Sequence, residues 1–421
     1  MKPTQRHLES RIKQLLDISP IVVIEGARQV GKSTLTQMLM PETETRFLTL
    51  DDSVTRNLAE QDPLLLLQSS EHVPLVIDEV QRAPQLVLAL KMLVDQNRHA
   101  GKYLLTGSAN LLRIPESHDS LAGRAMTQRL HPFTQGELAG QNDDWVSAII
   151  QLADNEIPSL DSQPHALSRE KMVEISAKGG YPTVQQLDET QRHLWLKDYI
   201  KRLLQRDATD LGQLNTKTLS RLFSLLAAAP GGELVLQHLA DKLGISRETV
   251  RRYLELLDSV FLTLELPAWS RSLTNRQVQR PKIYLADPGL FTTLENLRID
   301  RLLSTQGFDY LGGLMETFVV CELYRQQGWS DIPYELFYYR DRAGAEVDII
   351  IETPRGVIGV EVKAATSVSP KHFKHLQALR ERLGEEFLAG VVLNLAEPTL
   401  AGRKLYSLPI NALWQAPAKP H

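Results

Sequence analysis

The stretch Gly26-Ala27-Arg28-Gln29-Val30-Gly31-Lys32-Ser33 matches the pattern G-x-x-x-x-G-K-[ST] of a phosphate-binding P-loop. Average residue usage produces this pattern by chance, in a chain of this length, on the order of once in a hundred sequences. The uncharged, β-branched residues 21–24 before it predict a buried strand, and residues 34–40 after it predict the start of a helix. The strand, the glycine loop and the helix therefore stand in the order that phosphate binding requires.

The chemistry of this loop comes from its backbone. Gly26 and Gly31 permit a tight loop whose N–H groups point at phosphate oxygens, at the positive end of the following helix. We expect Lys32 to reach the β- and γ-phosphates of ATP and Ser33 to hold Mg²⁺. The residues predicted to bind the nucleotide here are Gly26, Ala27, Arg28, Gln29, Val30, Gly31, Lys32, Ser33 and Thr34.

A second motif follows downstream, where Pro74-Leu75-Val76-Ile77-Asp78-Glu79 predicts an apolar strand that ends in two carboxylates, a Walker B pattern. We expect Asp78 to bind the nucleotide's Mg²⁺, mostly through water, because Mg²⁺ keeps much of its hydration shell. Glu79 would orient and polarise the water that attacks the γ-phosphate. By itself, this pattern favours a strand that ends in an acidic turn exposed to solvent. Because a P-loop lies upstream, we favour the Walker B interpretation.

Two further polar residues follow the core strands. Residues 102–108 predict a strand with a polar tip, where Ser108, with Thr106 and Asn110 as neighbours, would contact the nucleotide and sense its γ-phosphate. A plain strand-to-loop turn is the alternative. Arg124, just before another strand-like run, is either a catalytic arginine finger supplied to a neighbouring subunit's nucleotide or a residue in a surface salt bridge.

A resemblance to a known family is carried by four segments: GARQVGKSTL (26–35), LVIDEVQRAP (75–84), YLLTGSANLL (103–112) and LAGRAMTQRLHPFTQGEL (121–138). They resemble a family of bacterial and archaeal AAA+ ATPases in which an N-terminal ATPase is fused to a C-terminal region of formerly unknown function. The resemblance spans nearly the whole chain. It implies an additional-strand P-loop ATPase that acts as a homo-oligomeric ring, such as a hexamer, because AAA+ sites lie at subunit interfaces.

Length and composition limit the remaining possibilities. A chain of 421 residues corresponds to about three domains. The net charge of −4 does not indicate nucleic-acid binding, which would have to depend on local patches. The single cysteine, Cys321, excludes an internal disulfide framework and fits a reducing cytosol. No apolar run approaches the ~20 residues of a membrane span. We therefore expect a cytoplasmic protein without membrane contact.

A helix–turn–helix pattern followed by a strand lies in the middle of the chain. Residues 236–243 and 247–258 predict two helices joined by Gly244-Ile245-Ser246, and residues 260–266 alternate as a half-buried strand does. This is the order of a winged helix. Such a module either places its second helix in a DNA major groove or binds protein partners.

Two basic segments flank this pattern. Residues 191–210 predict a long helix whose cations, among them Lys197 and Lys201, face either DNA or solvent. Residues 267–286 contain four cations and no acid, so they predict either a loop that contacts phosphates or a soluble linker. The four cations of this loop are Arg271, Arg276, Arg280 and Lys282.

Two strand-like runs near the C-terminus bring acids and a lysine together. One run contains Asp348, and the next carries Glu361 and Lys363, which a spacing of two places on the same side of a strand. Average usage produces E-x-K about once in a chain of this size, so its value lies in its placement. Two carboxylates can hold Mg²⁺, and the lysine can position or help deprotonate a water for attack on a phosphodiester.

The order of helix, β-hairpin with D…ExK, helix and strand resembles the PD-(D/E)xK nuclease fold. The resemblance implies Asp348, Glu361 and Lys363 as catalytic residues and a further metal-binding acid on the first helix, for which Glu316 is the candidate and Glu322 the reserve. Asp348 follows a valine instead of the family's proline. A nuclease-like fold that only binds DNA or protein partners is the alternative.

Together these patterns predict an α/β protein with four parts: an AAA+ P-loop ATPase core (1–135), a helical connector or lid (136–230), a winged helix (231–295) and a restriction-endonuclease-like domain (300–421). The predicted function is ATP hydrolysis that drives DNA binding or remodelling, with branched DNA suggested by analogy, and a Mg²⁺-dependent nuclease-like domain. The alternative is an ATP-dependent switch or regulator that binds protein partners or operator DNA through a non-catalytic last domain.

Overall fold

A computed structural model of the chain describes residues 4–40, 44–68, 73–108, 121–155, 160–210, 215–272, 276, 279–341 and 344–415. The chain forms two compact units, one of residues 1–133 with 259–261 and one of residues 134–258 with 262–421. Within the described ranges, no helix combines the length and the apolar character needed to cross a lipid bilayer.

The first unit is built on a parallel sheet. Its strands are β1 (Ile21–Glu25), β2 (Arg46–Thr49), β3 (Leu75–Asp78), β4 (Tyr103–Gly107) and β5 (Ala125–Arg129). Its helices are α1 (Leu8–Ile18), α2 (Lys32–Leu39), α3 (Ser53–Gln61), α4 (Pro63–Gln68) and α5 (Pro84–Gln96). The strand order is β2-β3-β4-β1-β5, with every pair parallel. Strand β4 is thus the additional strand between β1 and β3 that the family resemblance implied.

The central strands form as the sequence predicts because they are buried on both faces. All five residues of β1 and of β4 are buried, as expected of strands in a parallel sheet. Ile21, Ile77 and Leu105, from three different strands, pack in one core with Leu86 and Leu90 of α5. Apolar residues at helical spacing, among them Leu86 and Leu90, therefore form the side of α5 that faces this core.

The second unit begins with a helical region, as predicted. Its helices are α6 (Gln135–Ala139), α7 (Trp145–Asp154), α8 (Arg169–Lys178), α9 (Glu189–Asp210) and α10 (Thr216–Ala227). The first of these begins at a capping box, in which the Thr134 hydroxyl accepts from the Glu137 N–H and the Glu137 carboxylate accepts from the Thr134 N–H. This reciprocal bonding fixes where the chain enters α6.

The predicted helix–turn–helix is formed by α11 (Leu236–Leu243) and α12 (Arg247–Ser259). Gly244 ends α11 in the left-handed conformation, and the Ser246 hydroxyl accepts from the Thr249 N–H at 3.1 Å to cap α12. Three short strands accompany the helices: β6 (Gly232–Glu233), β7 (Thr263–Leu266) and β8 (Lys282–Leu285). They form an antiparallel sheet in the order β6-β8-β7.

The C-terminal part contains a six-stranded mixed sheet in the order β13-β14-β12-β11-β10-β9. Its strands are β9 (Glu335–Arg340), β10 (Glu346–Thr353), β11 (Gly356–Val362), β12 (Phe387–Asn394), β13 (Thr399–Gly402) and β14 (Leu405–Pro409). Its helices are α13 (Pro288–Leu294), α14 (Ile299–Leu303), α15 (Phe308–Gln326) and α16 (Lys374–Leu383). The order α15, β9, β10, β11, α16, β12 is the predicted one, whereas β13 and β14 were not predicted.

The cations of the basic segment 267–286 form ion pairs with acids outside the segment. Arg271 pairs with Glu386 at 3.0 Å, Arg276 pairs with Glu352 at 2.6 Å, and Lys282 pairs with Glu346 at 2.6 Å. Three of the four cations are therefore neutralised by acids that lie far away in the chain. The local sequence left a phosphate-contacting loop and a soluble linker open, and it does not show these counter-charges because the tertiary structure supplies them.

A buried ion-pair network joins α15 to the turn before α13. The Arg325 guanidinium donates to Asp287 at 2.9 Å and to Glu322 at 3.3 Å, and all three side chains are almost fully buried. Asp287 also accepts from the N–H groups of Gly180 and Gly289. Burial raises the pKa of Glu322 to about 8, although the Arg325 charge opposes the shift. Glu322, the reserve candidate for a metal-binding acid, is thus part of this structural network.

We expect Asp287→Ala to lower the free energy of unfolding by about 3–5 kcal/mol, because removing one partner leaves the Arg325 charge buried without its closest carboxylate. Urea unfolding followed by tryptophan fluorescence measures the change. Asp198→Ala, which breaks the exposed pair with Arg202, is the control and should cost less than about 1 kcal/mol. Equal effects of the two substitutions would contradict a stabilising role for the buried network.

Candidate functional site

The P-loop connects β1 to α2 in a conformation that requires glycine at two positions. A Cβ on Gly26 would lie 2.1 Å from the carbonyl oxygen of Leu130, so only glycine allows this close backbone approach. Gly31 has a φ of 96° at the N-cap of α2, where a residue with a side chain is strained. The loop thus presents the first turn of α2, with its unpaired N–H groups, as an anion-binding end.

Lys32 lies in the first turn of α2 and is buried. Its Nζ donates to the carbonyl oxygens of Gly26 and Ala27, each at 2.9 Å, so the ammonium group is held against the loop. Burial lowers the pKa of Lys32 to about 8, and the nearby carboxylates of Glu79 and Asp78 partly oppose that shift. The lysine and both Walker B acids therefore lie in one electrostatic environment, as predicted.

Ser33 and Asp78 are brought together from α2 and the end of β3. The Ser33 hydroxyl lies 3.2 Å from both carboxylate oxygens of Asp78, and the Thr106 hydroxyl donates to the same carboxylate. A hydroxyl and a carboxylate side by side are the oxygen ligands that Mg²⁺ accepts, with waters or phosphates completing its shell. Ser33 and Asp78 therefore fit the position predicted for the Mg²⁺ ion that accompanies the nucleotide.

Glu79 follows β3 in the left-handed conformation, with φ 58° and ψ 43°. Its carboxylate accepts from the Ser108 hydroxyl at 2.8 Å and from the Gln81 amide. Burial alone would raise the pKa of Glu79, but the Ser108 hydrogen bond and the Lys32 charge outweigh burial and lower it. The acid is therefore held ionised and oriented. Ser108 does lie between the two motifs, at the tip of β4, whereas Asn110 lies outside the described residues.

Two residues of this site were missed by sequence reasoning. Gln81 donates to both Glu79 and Ser108, and its place within the Walker B segment was the available signal. Arg6 is buried, donates to the carbonyl oxygens of Val30 at 2.9 Å and His131 at 2.7 Å, and lies over the Phe133 ring. No local pattern marks Arg6, because its partners are distant in the sequence.

Arg124 does not reach the nucleotide site of its own unit. It lies just before β5, whose first residue pairs with Ile21 at the amino end of β1, the end of the sheet opposite the P-loop. Its guanidinium donates to both carboxylate oxygens of Asp95, at 2.6 and 2.8 Å. Within this chain Arg124 therefore forms a surface salt bridge, one of its two predicted roles.

The acid–lysine cluster of the second unit forms as the strand pairing predicts. Strands β10 and β11 are antiparallel neighbours, which places Asp348 beside Glu361. Lys363 Nζ lies 2.6 Å from Glu361 Oε2 and 3.3 Å from Asp348 Oδ2, and the Val362 N–H donates to the same Asp348 oxygen at 2.8 Å. Burial and the Asp348 charge raise the pKa of Glu361 to about 8, despite the opposing lysine.

Glu316 does not complete a metal site of three acids. Its carboxylate accepts from the Tyr284 hydroxyl at 2.6 Å and pairs with Lys282 at 3.4 Å. Burial and the Asp348 charge raise its pKa, so Glu316 is near the cluster but bonded elsewhere. In the part of the chain that the structure describes, no three His, Cys, Asp or Glu side chains are arranged to hold a metal ion. Of the three acids predicted to bind the metal, Asp348 and Glu361 both contact Lys363, whereas Glu316 contacts Tyr284 and Lys282.

The strand order and the P-loop geometry of the first unit define a P-loop ATPase domain. A family model described as "AAA domain" matches residues 19–139, so the chain carries an AAA-type ATPase domain. Two other models match the rest, each described as a domain of unknown function: DUF8612 over residues 169–301 and DUF4143 over residues 311–413.

The comparisons also find relatives of the whole chain. Uncharacterized proteins of Mycobacterium tuberculosis (strain H37Rv) and Mycobacterium bovis are each 27% identical over 369 residues, which are 87% of this chain and 75% of theirs. Among solved structures, the Walker-type ATPase PABY2304 of Pyrococcus abyssi has 15% identity and a TM-score of 0.43, covering 70% of this chain and 96% of that one. A RuvB protein of Thermotoga maritima has 17% identity and a TM-score of 0.29, covering 62% and 90%. Neither structural likeness is close enough to bear on function.

We expect Arg6→Ala to weaken ATP binding about tenfold, because the charged hydrogen bond to the Val30 carbonyl that holds the P-loop is lost. Titration with a fluorescent ATP analogue measures the dissociation constant. Arg11→Ala, at an exposed position on α1, is the matched control and should leave binding unchanged. An unaltered affinity in a folded Arg6→Ala protein would show that the loop does not need this contact.

Proposed function

We propose that the chain hydrolyses ATP at the P-loop of its first unit. The observation that carries this proposal is the convergence of Lys32, Asp78 and Glu79 at the carboxyl ends of β1 and β3, which lie on either side of β4 in the parallel sheet. Lys32 would exchange its hydrogen bonds to the carbonyl oxygens of Gly26 and Ala27 for bonds to the phosphates of the nucleotide. Ser33 and Asp78 would hold Mg²⁺, which neutralises charge on the phosphate oxygens when bound.

Glu79 is the residue that would act on the attacking water. Its carboxylate is ionised and is fixed by hydrogen bonds from Ser108 and Gln81, so that it can accept a hydrogen bond from a water in line with the γ-phosphate. Ser108 links this acid to the tip of β4 and is therefore the group that a bound γ-phosphate would displace or reorient. Such a contact is how Ser108 would sense the nucleotide state.

We expect Glu79→Gln to retain ATP binding while kcat for hydrolysis falls by about 10²–10⁴-fold, because the amide preserves the shape but cannot polarise the water. Lys32→Ala should lose binding itself. Phosphate release and nucleotide titration, measured in parallel, separate the two effects. Glu60→Gln and Lys13→Ala, at exposed surface positions, serve as controls. Turnover by Glu79→Gln at the unmodified rate would remove Glu79 from the mechanism.

We propose DNA as the partner of this ATPase. We also propose a ring-shaped homo-oligomer, which the resemblance to AAA+ ATPases implies. The helix–turn–helix followed by the β7–β8 hairpin has the order of a winged helix, which supports DNA or protein binding. The paired cations of loop 267–286 give DNA binding no support. Repeating the phosphate-release assay with single-stranded, duplex and branched DNA distinguishes a DNA partner from a protein partner. Stimulated turnover supports a DNA partner, and unchanged turnover favours a switch that acts on proteins.

A second candidate activity is metal-dependent hydrolysis of a phosphodiester at the acid–lysine cluster. A specific observation favours it: Glu361 Oε1 is buried and has no hydrogen-bond partner in the described part of the chain, with His375 Nδ1 3.9 Å away. A buried carboxylate oxygen without a partner is costly unless a cation or a donor meets it. Asp348 and Glu361 would hold Mg²⁺, and Lys363 would position the water that attacks phosphorus.

We expect Lys363→Ala and Asp348→Asn each to abolish Mg²⁺-dependent cleavage of DNA, because one loses the water-positioning cation and the other a metal ligand. Gel analysis of labelled single-stranded, duplex and branched substrates measures cleavage. Lys171→Ala, an exposed lysine on α8, is the control. If the unmodified chain cleaves none of the substrates, the cluster is structural and the second candidate is rejected.

A further inference from the structure

A cleft of about 630 Å³ lies between α9, α10 and the C-terminal end of α13, within the second unit. Its volume is in the range of small-molecule sites in proteins. It involves none of the residues assigned above to the nucleotide site or to the acid–lysine cluster. The family models give this region no function.

Cations line the cleft from two helices. Lys197 and Lys201 are one turn apart on α9, and Lys217 and Arg221 are one turn apart on α10. Residues four apart lie on the same face of a helix, so each helix contributes a pair of positive charges to the cleft. None of the described residues that line it is acidic. The site therefore concentrates four positive charges around one volume.

Two acids of α9, Asp198 and Glu189, are engaged with other cations. Asp198 pairs with Arg202 at 2.6 Å, and Glu189 pairs with Arg298 at 3.1 Å. The pKa of His193, which also lines the cleft, is lowered by its burial and by the charges of Lys197 and Arg298. This shift is consistent with a positive potential at this end of α9.

The lining also includes apolar side chains and neutral donors. Ile200 and Leu204, one turn apart on α9, are buried, and Leu294 of α13 is a third apolar lining residue. Ser220 and Asn296 add a hydroxyl and an amide. Such a cleft suits a ligand that combines several anionic oxygens with a less polar body, since neutral donors and cations both satisfy phosphate oxygens.

We propose that this cleft binds a ligand that carries two or more phosphate groups. Cation pairs on two helices favour a ligand with several charges over a single carboxylate, which one pair would satisfy. Two sources have this chemistry: a free polyphosphate or nucleotide, and the backbone of a nucleic-acid strand. Binding at this site does not require ATP hydrolysis, so its test is independent of the activities proposed above.

The test uses the full chain carrying Lys32→Ala, so that binding at the P-loop does not contribute to the signal. The probes are inorganic tripolyphosphate, followed by calorimetry, and a labelled oligothymidylate, followed by fluorescence anisotropy over a range of salt concentrations. Two double variants remove the cleft charges, Lys197→Ala with Lys201→Ala on α9 and Lys217→Ala with Arg221→Ala on α10. Lys171→Ala with Arg11→Ala removes two exposed cations outside the cleft and is the matched control.

We expect each cleft double variant to weaken binding at least tenfold, and the matched control to leave it unchanged. For the oligonucleotide, the slope of log K against log salt should fall by about 0.7 for each phosphate contact removed. Lys197→Arg with Lys201→Arg keeps both charges and should bind like the unmodified chain, which would show that binding depends on the charges. Because the two pairs lie on different helices, misfolding of one variant leaves the other as a test.

The two probes separate the sources. Binding of tripolyphosphate alone assigns the cleft to a free phosphate ligand, and binding of the oligonucleotide alone assigns it to a nucleic-acid backbone. Competition between the two shows that both occupy one site. The proposal is overturned if neither probe binds at low salt, or if binding is the same in the cleft variants and the control.

Discussion

The nucleotide site depends on one constraint of the first unit, namely that β1, β4 and β3 are adjacent, parallel and end at the same edge of the sheet. The P-loop follows β1, Ser108 follows β4, and Asp78 ends β3. Parallel strands bring their carboxyl ends together, so residues widely separated in sequence are delivered to one cavity. A strand order without β4 in the middle would remove Ser108 from Glu79.

The same edge of the sheet also sets the electrostatics of the site. Lys32 is buried against its own loop, and it remains tolerable there because the charges of Glu79 and Asp78 offset part of the cost of desolvation. Conversely, the lysine charge helps to keep Glu79 ionised. The two carboxylates thus favour the charged form of Lys32, and Lys32 favours the ionised form of Glu79, before any nucleotide is bound.

In the second unit, charge compensation over long distances has the corresponding role. Arg325 holds Asp287 and Glu322, Lys282 holds Glu316 and Glu346, and Lys363 lies between Glu361 and Asp348. The pairs of Arg325 with Asp287 and of Lys282 with Glu316 and Glu346 connect elements that the sequence separates widely. The two clusters differ in hydrogen bonding: both carboxylate oxygens of Asp287 accept hydrogen bonds, whereas one buried oxygen of Glu361 accepts none from the residues that the structure describes. Fold alone does not distinguish them.

By itself, the sequence determined the elements and motifs whose causes are local: the P-loop, the Walker B strand, the helix–turn–helix and the paired strands with Asp348 and Glu361. Hydrophobic periodicity and glycine placement act over a few residues and can be read directly. Only the tertiary structure decided the partners of the charges, because Arg276, Arg124 and Arg6 meet groups that no local pattern brings near. The role of a charged side chain depends on the groups within a few ångströms of it, and folding determines which groups those are.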